Sequence, residues 1–143
     1  MGKLIVNEKL YTVTGDEFWT AKRDPGRPIG KGNEAVHATT AHAIRDVCLT
    51  MWGQEPDGRG GASKIYPGAT ATDSRTGERV IDRCMDAIKK DAKSVDLDEA
   101  DHVWLKGVFE QVGPKIYGAN FPRLERAILA VREEKPAKPD KKK

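Results

Sequence analysis

Residues 94–114, Ser94-Val-Asp-Leu-Asp-Glu-Ala-Asp-His-Val-Trp-Leu-Lys-Gly-Val-Phe-Glu-Gln-Val-Gly-Pro114, carry the strongest helix signal in the chain. Asp96 stands three residues before Glu99, which is capping-box spacing with Asp where Ser or Thr is more usual. Asp98, Glu99 and Asp101 load the first turn with negative charge, which the helix dipole favours. Ala100, Val103, Trp104, Val108, Phe109 and Val112 form an apolar stripe, and Gly113-Pro114 predicts the stop. Gly107 at mid-helix is about 1 kcal/mol worse than Ala. Close approach of another element is the expected reason for it.

Upstream, a second amphipathic helix is expected from about Gly77 to Lys93. Ile81, Cys84, Met85, Ile88 and Ala92 make its apolar stripe, flanked by Val80 and Ala87. Residues 53–77 are rich in Gly and read as one long loop, either a binding loop or disordered, with Ile65 and Tyr66 able to pin down its middle. A further helix is expected to start at an Asn33 N-cap. It would run through Val36, Thr40, Ala43, Ile44, Val47, Cys48 and Met51 to Trp52-Gly53. Lys22–Gly32 is a Pro- and Gly-containing loop with a local charge of +3. Residues 3–14 hold two β-prone runs around Asn7-Glu8 and predict a hairpin, packed on the helices by Phe18 and Trp19. Downstream, Pro122 suits a first helical turn, and Leu124, Ala127, Ile128 and Val131 predict a last helix to about Glu134.

The expected fold is therefore mostly α. It is a small four-helix domain over residues 1–134, with an N-terminal β-hairpin, a long Gly-rich loop and a disordered Lys-rich tail at 135–143.

The net charge of +3 and pI near 8.8 belong to that tail. Lys135–Lys143 carries +4, and without it the chain holds 20 basic and 21 acidic residues. No apolar run is long enough to span a membrane, and the start turns polar too early for a signal peptide. Cys48 and Cys84 make no disulfide framework, so a reduced, cytosolic setting is expected.

Gly58-Arg-Gly-Gly-Ala-Ser-Lys64 is not a phosphate loop: Ser63 precedes Lys64, and no helix signal follows. His37, His42 and His102 do not share metal-ligand spacing with each other or with the cysteines, so neither metal nor cofactor is expected. Helix capping accounts for Asp96, Asp98, Glu99 and Asp101. An enzyme would need a site assembled from distant residues, such as His102 clustered with Asp or Cys side chains in a pocket.

Aromatic and apolar residues in loops and at helix ends favour a protein partner, with Trp19, Trp52, Ile65, Tyr66, Tyr117 and Phe121 as candidate contacts. Ile116 belongs to the same inventory. The alternative is nucleic acid, held by Lys22, Arg23, Arg27, Lys31, Arg59 and Lys64 with the Lys tail, while Trp19 and Tyr66 stack on bases.

Three stretches carry a family likeness: Glu78-Arg-Val-Ile-Asp-Arg-Cys-Met-Asp-Ala-Ile-Lys-Lys, Val95-Asp-Leu-Asp-Glu-Ala-Asp-His-Val-Trp-Leu-Lys and Gly113-Pro-Lys-Ile-Tyr-Gly. In this region of about 55 residues the chain resembles small accessory proteins of tailed bacteriophages. The resemblance implies a non-enzymatic role in the host cytoplasm or the virion, through virion assembly or the binding of a host enzyme. It carries no catalytic residue across.

Overall fold

A computed structural model of the chain describes residues 2–129 and 131–133. The expected tail lies outside the described residues. Seven strands and four helices follow in the order β1 (Gly2–Val6), β2 (Trp19–Ala21), β3 (Ala35–His37), α1 (Thr40–Thr50), β4 (Gln54–Pro56), β5 (Ala62–Lys64), α2 (Ala71–Lys90), β6 (Ser94–Asp98), α3 (Glu99–Tyr117), α4 (Phe121–Leu129) and β7 (Val131–Glu133). This is a mixed α/β domain, 48% helix and 22% strand, which corrects the mostly α expectation. The last helix, expected to reach about Glu134, stops at Leu129, and Val131–Glu133 is a strand. Three helices are long; α4 has nine residues.

The correction begins in residues 94–98. Val95 and Leu97 are buried while Asp96 and Asp98 are exposed, the two-residue alternation of a strand. This β6 pairs antiparallel with β1, setting Ile5 opposite Val95 and Lys3 opposite Leu97. β7 covers the other edge of β1 in a β6-β1-β7 sheet. α3 begins two residues later than its capping signal indicated, with Asp98 rather than Asp96 as N-cap.

The N-terminal hairpin does not form, because Asn7 is spent on other contacts. Its Oδ1 accepts from Ala41 N–H (2.9 Å), and its Nδ2 donates to the Ala92 carbonyl (2.8 Å). The chain therefore runs past the start of α1, where β1 meets the ends of both long helices. β2 and β3 form a separate antiparallel pair.

Asn33 likewise caps no helix. It is buried, and its Oδ1 accepts from Arg23 and Asp24 N–H, while its Nδ2 reaches the carbonyls of Asp24, Arg27 and Pro28. One side chain thus holds the basic loop closed. α1 starts at a Thr39 N-cap instead: Thr39 N–H donates to His42 Nδ1 at 3.1 Å, and Thr39 Oγ1 lies 2.9 Å from the same atom.

The Gly-rich segment is also structured. β4 and β5 form a hairpin whose turn is organised by Asp57; its Oδ1 accepts from Arg59 N–H (2.7 Å) and Gly61 N–H (3.1 Å). Lys115 Nζ ties the hairpin to α3 through the Ile65 carbonyl (2.7 Å) and Glu55 (3.2 Å). α2 then starts at Ala71, six residues before expectation, behind a Thr70/Asp73 capping box.

Gly113-Pro114 does not end α3, which continues to Tyr117. The close approach expected at Gly107 occurs instead at Gly113. A Cβ there would sit 2.6 Å from Phe121 Cδ1, whereas one on Gly107 would meet nothing within 4 Å.

The core fills the space between the sheet and the helices with Ile5, Ile44, Val47, Val80, Leu97, Leu105, Phe109, Leu124 and Ile128. Within it lies a fully buried Arg45, for which the apolar pattern of α1 left no place. Its Nε donates to Asp46 (2.9 Å), Nη1 to the Lys22 carbonyl (2.8 Å) and Nη2 to the Ala21 carbonyl (2.7 Å). Thr20 Oγ1 donates to the other oxygen of Asp46. The guanidinium thereby fastens the end of β2 to α1, and with it the start of the basic loop.

His42 gives the fold an acid sensitivity. Burial first, and Arg45 second, hold its imidazole down to about 4. Its unfolded value is near 6.5, so the stability held by keeping the ring neutral is fully present above that pH. As pH falls from 6.5 to 4 the unfolded chain takes up a proton that the folded chain refuses, at a loss of about 2 kcal/mol after solvent screening. His102, lowered by burial, Lys106 and Lys3, acts in the same direction. Urea midpoints at pH 7, 5.5 and 4 check this. His42→Gln, which keeps a capping-box acceptor, should flatten the decline over that interval.

Candidate interaction face on α1 and α2

α2 carries two parallel seams. The inner one, Gly77, Val80, Cys84 and Ala87, is buried, with α1 packed closely on α2. The outer one, Ser74, Glu78, Ile81, Met85 and Ile88, repeats at alternating four- and three-residue steps, the period of a helix-pairing seam. Ile81 and Ile88 are half-buried, while Met85 is 38% exposed. The apolar stripe expected on α2 is thus split, with Met85 on the surface side.

Two hollows adjoin along the outer seam and meet at Asp82. One, about 360 Å³, is lined by Cys48, Leu49, Trp52, Ser74, Glu78 and Ile81 among others. The next, about 460 Å³, is lined mainly by Met85, Ile88, Lys22, Arg23, Asp86 and Lys89. A third, about 130 Å³, continues past Trp52 to Tyr66 and Lys64. From Ser74 to Ile88 the face runs about 21 Å along the helix axis. Leu49 (39% exposed), Trp52 (50%) and Met85 supply its exposed apolar surface.

Of the expected protein contacts, Trp52 and Tyr66 come together on this face. Trp19 is 54% exposed but lies elsewhere, beside His37 (ring centroids 5.8 Å), which Tyr11 also meets. Ile65 and Tyr117 are buried, with the Tyr117 hydroxyl donating to the Ala43 carbonyl. Phe121 stacks on Phe109 at 5.4 Å, and Ile116 packs against the core. These four plug the domain from within. Met85, which belongs to the face, has the apolar spacing of core positions, so the sequence offered no signal to separate it from them, while Leu49 lies off the apolar stripe of α1.

The candidate nucleic-acid residues divide into separate groups. Lys22 and Arg23 border the α2 face near its C-terminal end, and Arg27 and Lys31 are exposed farther along the loop. Arg59 and Lys64 sit on the β4–β5 hairpin, and Lys64 reaches the face at the opposite end, by Trp52. Glu78 and Asp82 stand between the two ends, so no continuous basic stripe forms. The Arg59 and Gly61 N–H donors of this turn are already bound by the Asp57 carboxylate, which would repel a phosphate.

Buried chemistry is quiescent. Burial pushes the Cys48 thiol up to about 12 and raises Cys84 as well, so neither offers a thiolate near neutrality. Asp101 is buried and paired with Arg79 at 2.9 Å. His102 is buried, and its Nε2 has no hydrogen-bond partner. Among the described residues no group of three or more His, Cys, Asp or Glu is placed to hold a metal ion. Nor is any helix among them long and apolar enough to cross a membrane.

Comparison with protein-family models, curated proteins and solved structures finds no match for this chain.

Proposed function

We propose that this protein is a non-catalytic protein-interaction module that docks through the outer seam of α2 and the adjoining end of α1. The observation that carries this reading is the alignment of Leu49, Trp52, Ile81, Met85 and Ile88 along two adjoining hollows with charged borders. Apolar anchors within a charged rim are the anatomy of a protein interface. The resemblance of the α2–α3 region to phage accessory proteins supplies the setting: the host cytoplasm or the virion, with a structural protein or a host enzyme as partner.

The test is photo-crosslinking in the producing cell from a benzoylphenylalanine at position 52 or 85. A third position, Val103, is 61% exposed on α3 and serves as control. Discrete protein adducts are expected from 52 and 85 and not from 103. Equal adducts from all three positions, or adducts from 52 and 85 that nuclease removes, would contradict the reading.

A further inference from the structure

We infer that a second copy of this chain occupies the outer seam of α2, the two α2 helices running antiparallel about a twofold axis that passes midway between Ile81 and Met85. The inference rests on reading this face as a protein interface and names its occupant.

Two properties of the seam point to self-pairing. Its four-three repeat is the pattern by which one helix receives another; Ile81 and Ile88 pack against the core by their inner edges only and remain part-exposed beside the exposed Met85. Its charge is also self-complementary. Glu78 lies toward the N-terminal half, whereas Lys89, with Lys22 and Arg23 beside it, lies toward the C-terminal end, and Asp82 lines both hollows at the centre. Asp86, at the basic end, is already paired with Lys90 at 3.3 Å.

An isologous twofold contact requires a patch that complements its own inverted image. Setting Ile81 opposite Met85 of the second copy repeats that apolar pair by symmetry. The same register brings Glu78 beside Lys89 of the second copy, again twice. A parallel arrangement would instead set Glu78 on Glu78 and Lys89 on Lys89, like charge on like charge. The basic group at 22–23 adds to the attraction only because Arg45 holds the Ala21 and Lys22 carbonyls against α1.

The contact is about 21 Å long, shorter than a standard interface provides, so a concentration-dependent dimer is expected rather than a permanent one. Sedimentation equilibrium of the full chain from about 5 to 500 µM tests it. The proposal expects monomer giving way to dimer over that range, and Met85→Lys should abolish the dimer. Glu78→Lys and Lys89→Glu alone should each weaken it about three- to fivefold or more, while the double variant restores it. Circular dichroism of each variant verifies folding.

A mass that stays monomeric throughout overturns the proposal, as does a double variant that fails to recover. A monomer whose positions 52 and 85 still crosslink to a different protein removes the second copy as occupant and leaves the interaction reading standing. A monomer with no such crosslinks removes both.

Discussion

Arg45→Ala is expected to lower the free energy of unfolding by about 3–5 kcal/mol, the largest effect of any single change considered. The guanidinium is fully buried, and its donors go to Asp46 and to two backbone carbonyls. Removing it leaves the Asp46 carboxylate in a site whose burial already pushes its pKa up, with Thr20 its remaining donor. The carbonyls of Ala21 and Lys22 lose these partners too, so β2 should loosen from α1 and release the basic loop. Guanidinium unfolding followed by circular dichroism measures the loss. The double change Arg45→Met with Asp46→Leu should lose less than Arg45→Ala, because no charge is then stranded. If the double variant were the less stable of the two, the ion pair would be contributing more than its desolvation costs.

The second large effect concerns two glycines on one helix, expected to respond with opposite signs. Gly113→Ala should destabilise by about 1–3 kcal/mol, the typical range for overpacking. The new methyl would fall 2.6 Å from Phe121 Cδ1 and 2.7 Å from Cε1, and that ring is stacked on Phe109. Phe121 cannot yield without parting from the core at the α3–α4 junction. Gly107→Ala meets nothing within 4 Å on an exposed part of the same helix, and should stabilise by about 0.5–1 kcal/mol. Thermal or denaturant unfolding of the two variants side by side gives the signs. Equal signs would mean that the α3–α4 packing is not as described.

These positions show where local patterning was informative and where it was not. The amphipathic cores of α1 and α2 were largely legible because burial on one face enforces three- and four-residue spacing. On α3 the expected buried stripe holds at Val108, Phe109 and Val112 but fails at Ala100 and Val103, which are exposed, and omits the fully buried Leu105. Residues 94–98 were misread because Asp96 and Asp98 satisfy two rules at once: acidic residues before a helix, and the exposed half of an alternating strand. Only the register against β1 resolves that choice, and register is a long-range property. Asn33 and Asn7 were ambiguous in the same way. An Asn side chain can cap a helix, close a loop or tie distant backbone, and its partners lie up to 85 residues away. Arg45 was invisible to apolar patterning, because a buried guanidinium requires carbonyls and a carboxylate from other elements. The Thr70-x-x-Asp73 cap of α2 was present in the sequence as a signal and marks the true start of that helix.

The proposed face was half legible. Trp52 and Tyr66 stood out as aromatics in a loop, and they do meet on the surface. Ile65, Tyr117 and Phe121 shared the same appearance yet turn inward, since a small domain closes its ends with aromatic residues. Met85 has the spacing of core residues, and Leu49 lies off the stripe of α1. Only the packing of α2 on α1 shows which seam is taken and which is left open.

The most direct measurement of the central claim uses the three tryptophans as independent reporters. Trp52 lies on the α1–α2 face, Trp19 lies beside His37, and Trp104 is partly buried with its indole N–H donated to Asp73 at 2.8 Å. Fluorine NMR of protein carrying 5-fluorotryptophan resolves three resonances, assigned by single Trp→Phe changes. On passing from dilute purified protein to the lysate of producing cells, the account predicts that the Trp52 resonance shifts and broadens while those of Trp19 and Trp104 hold their positions. A Trp52 resonance that stays unmoved while that of Trp19 responds would contradict it.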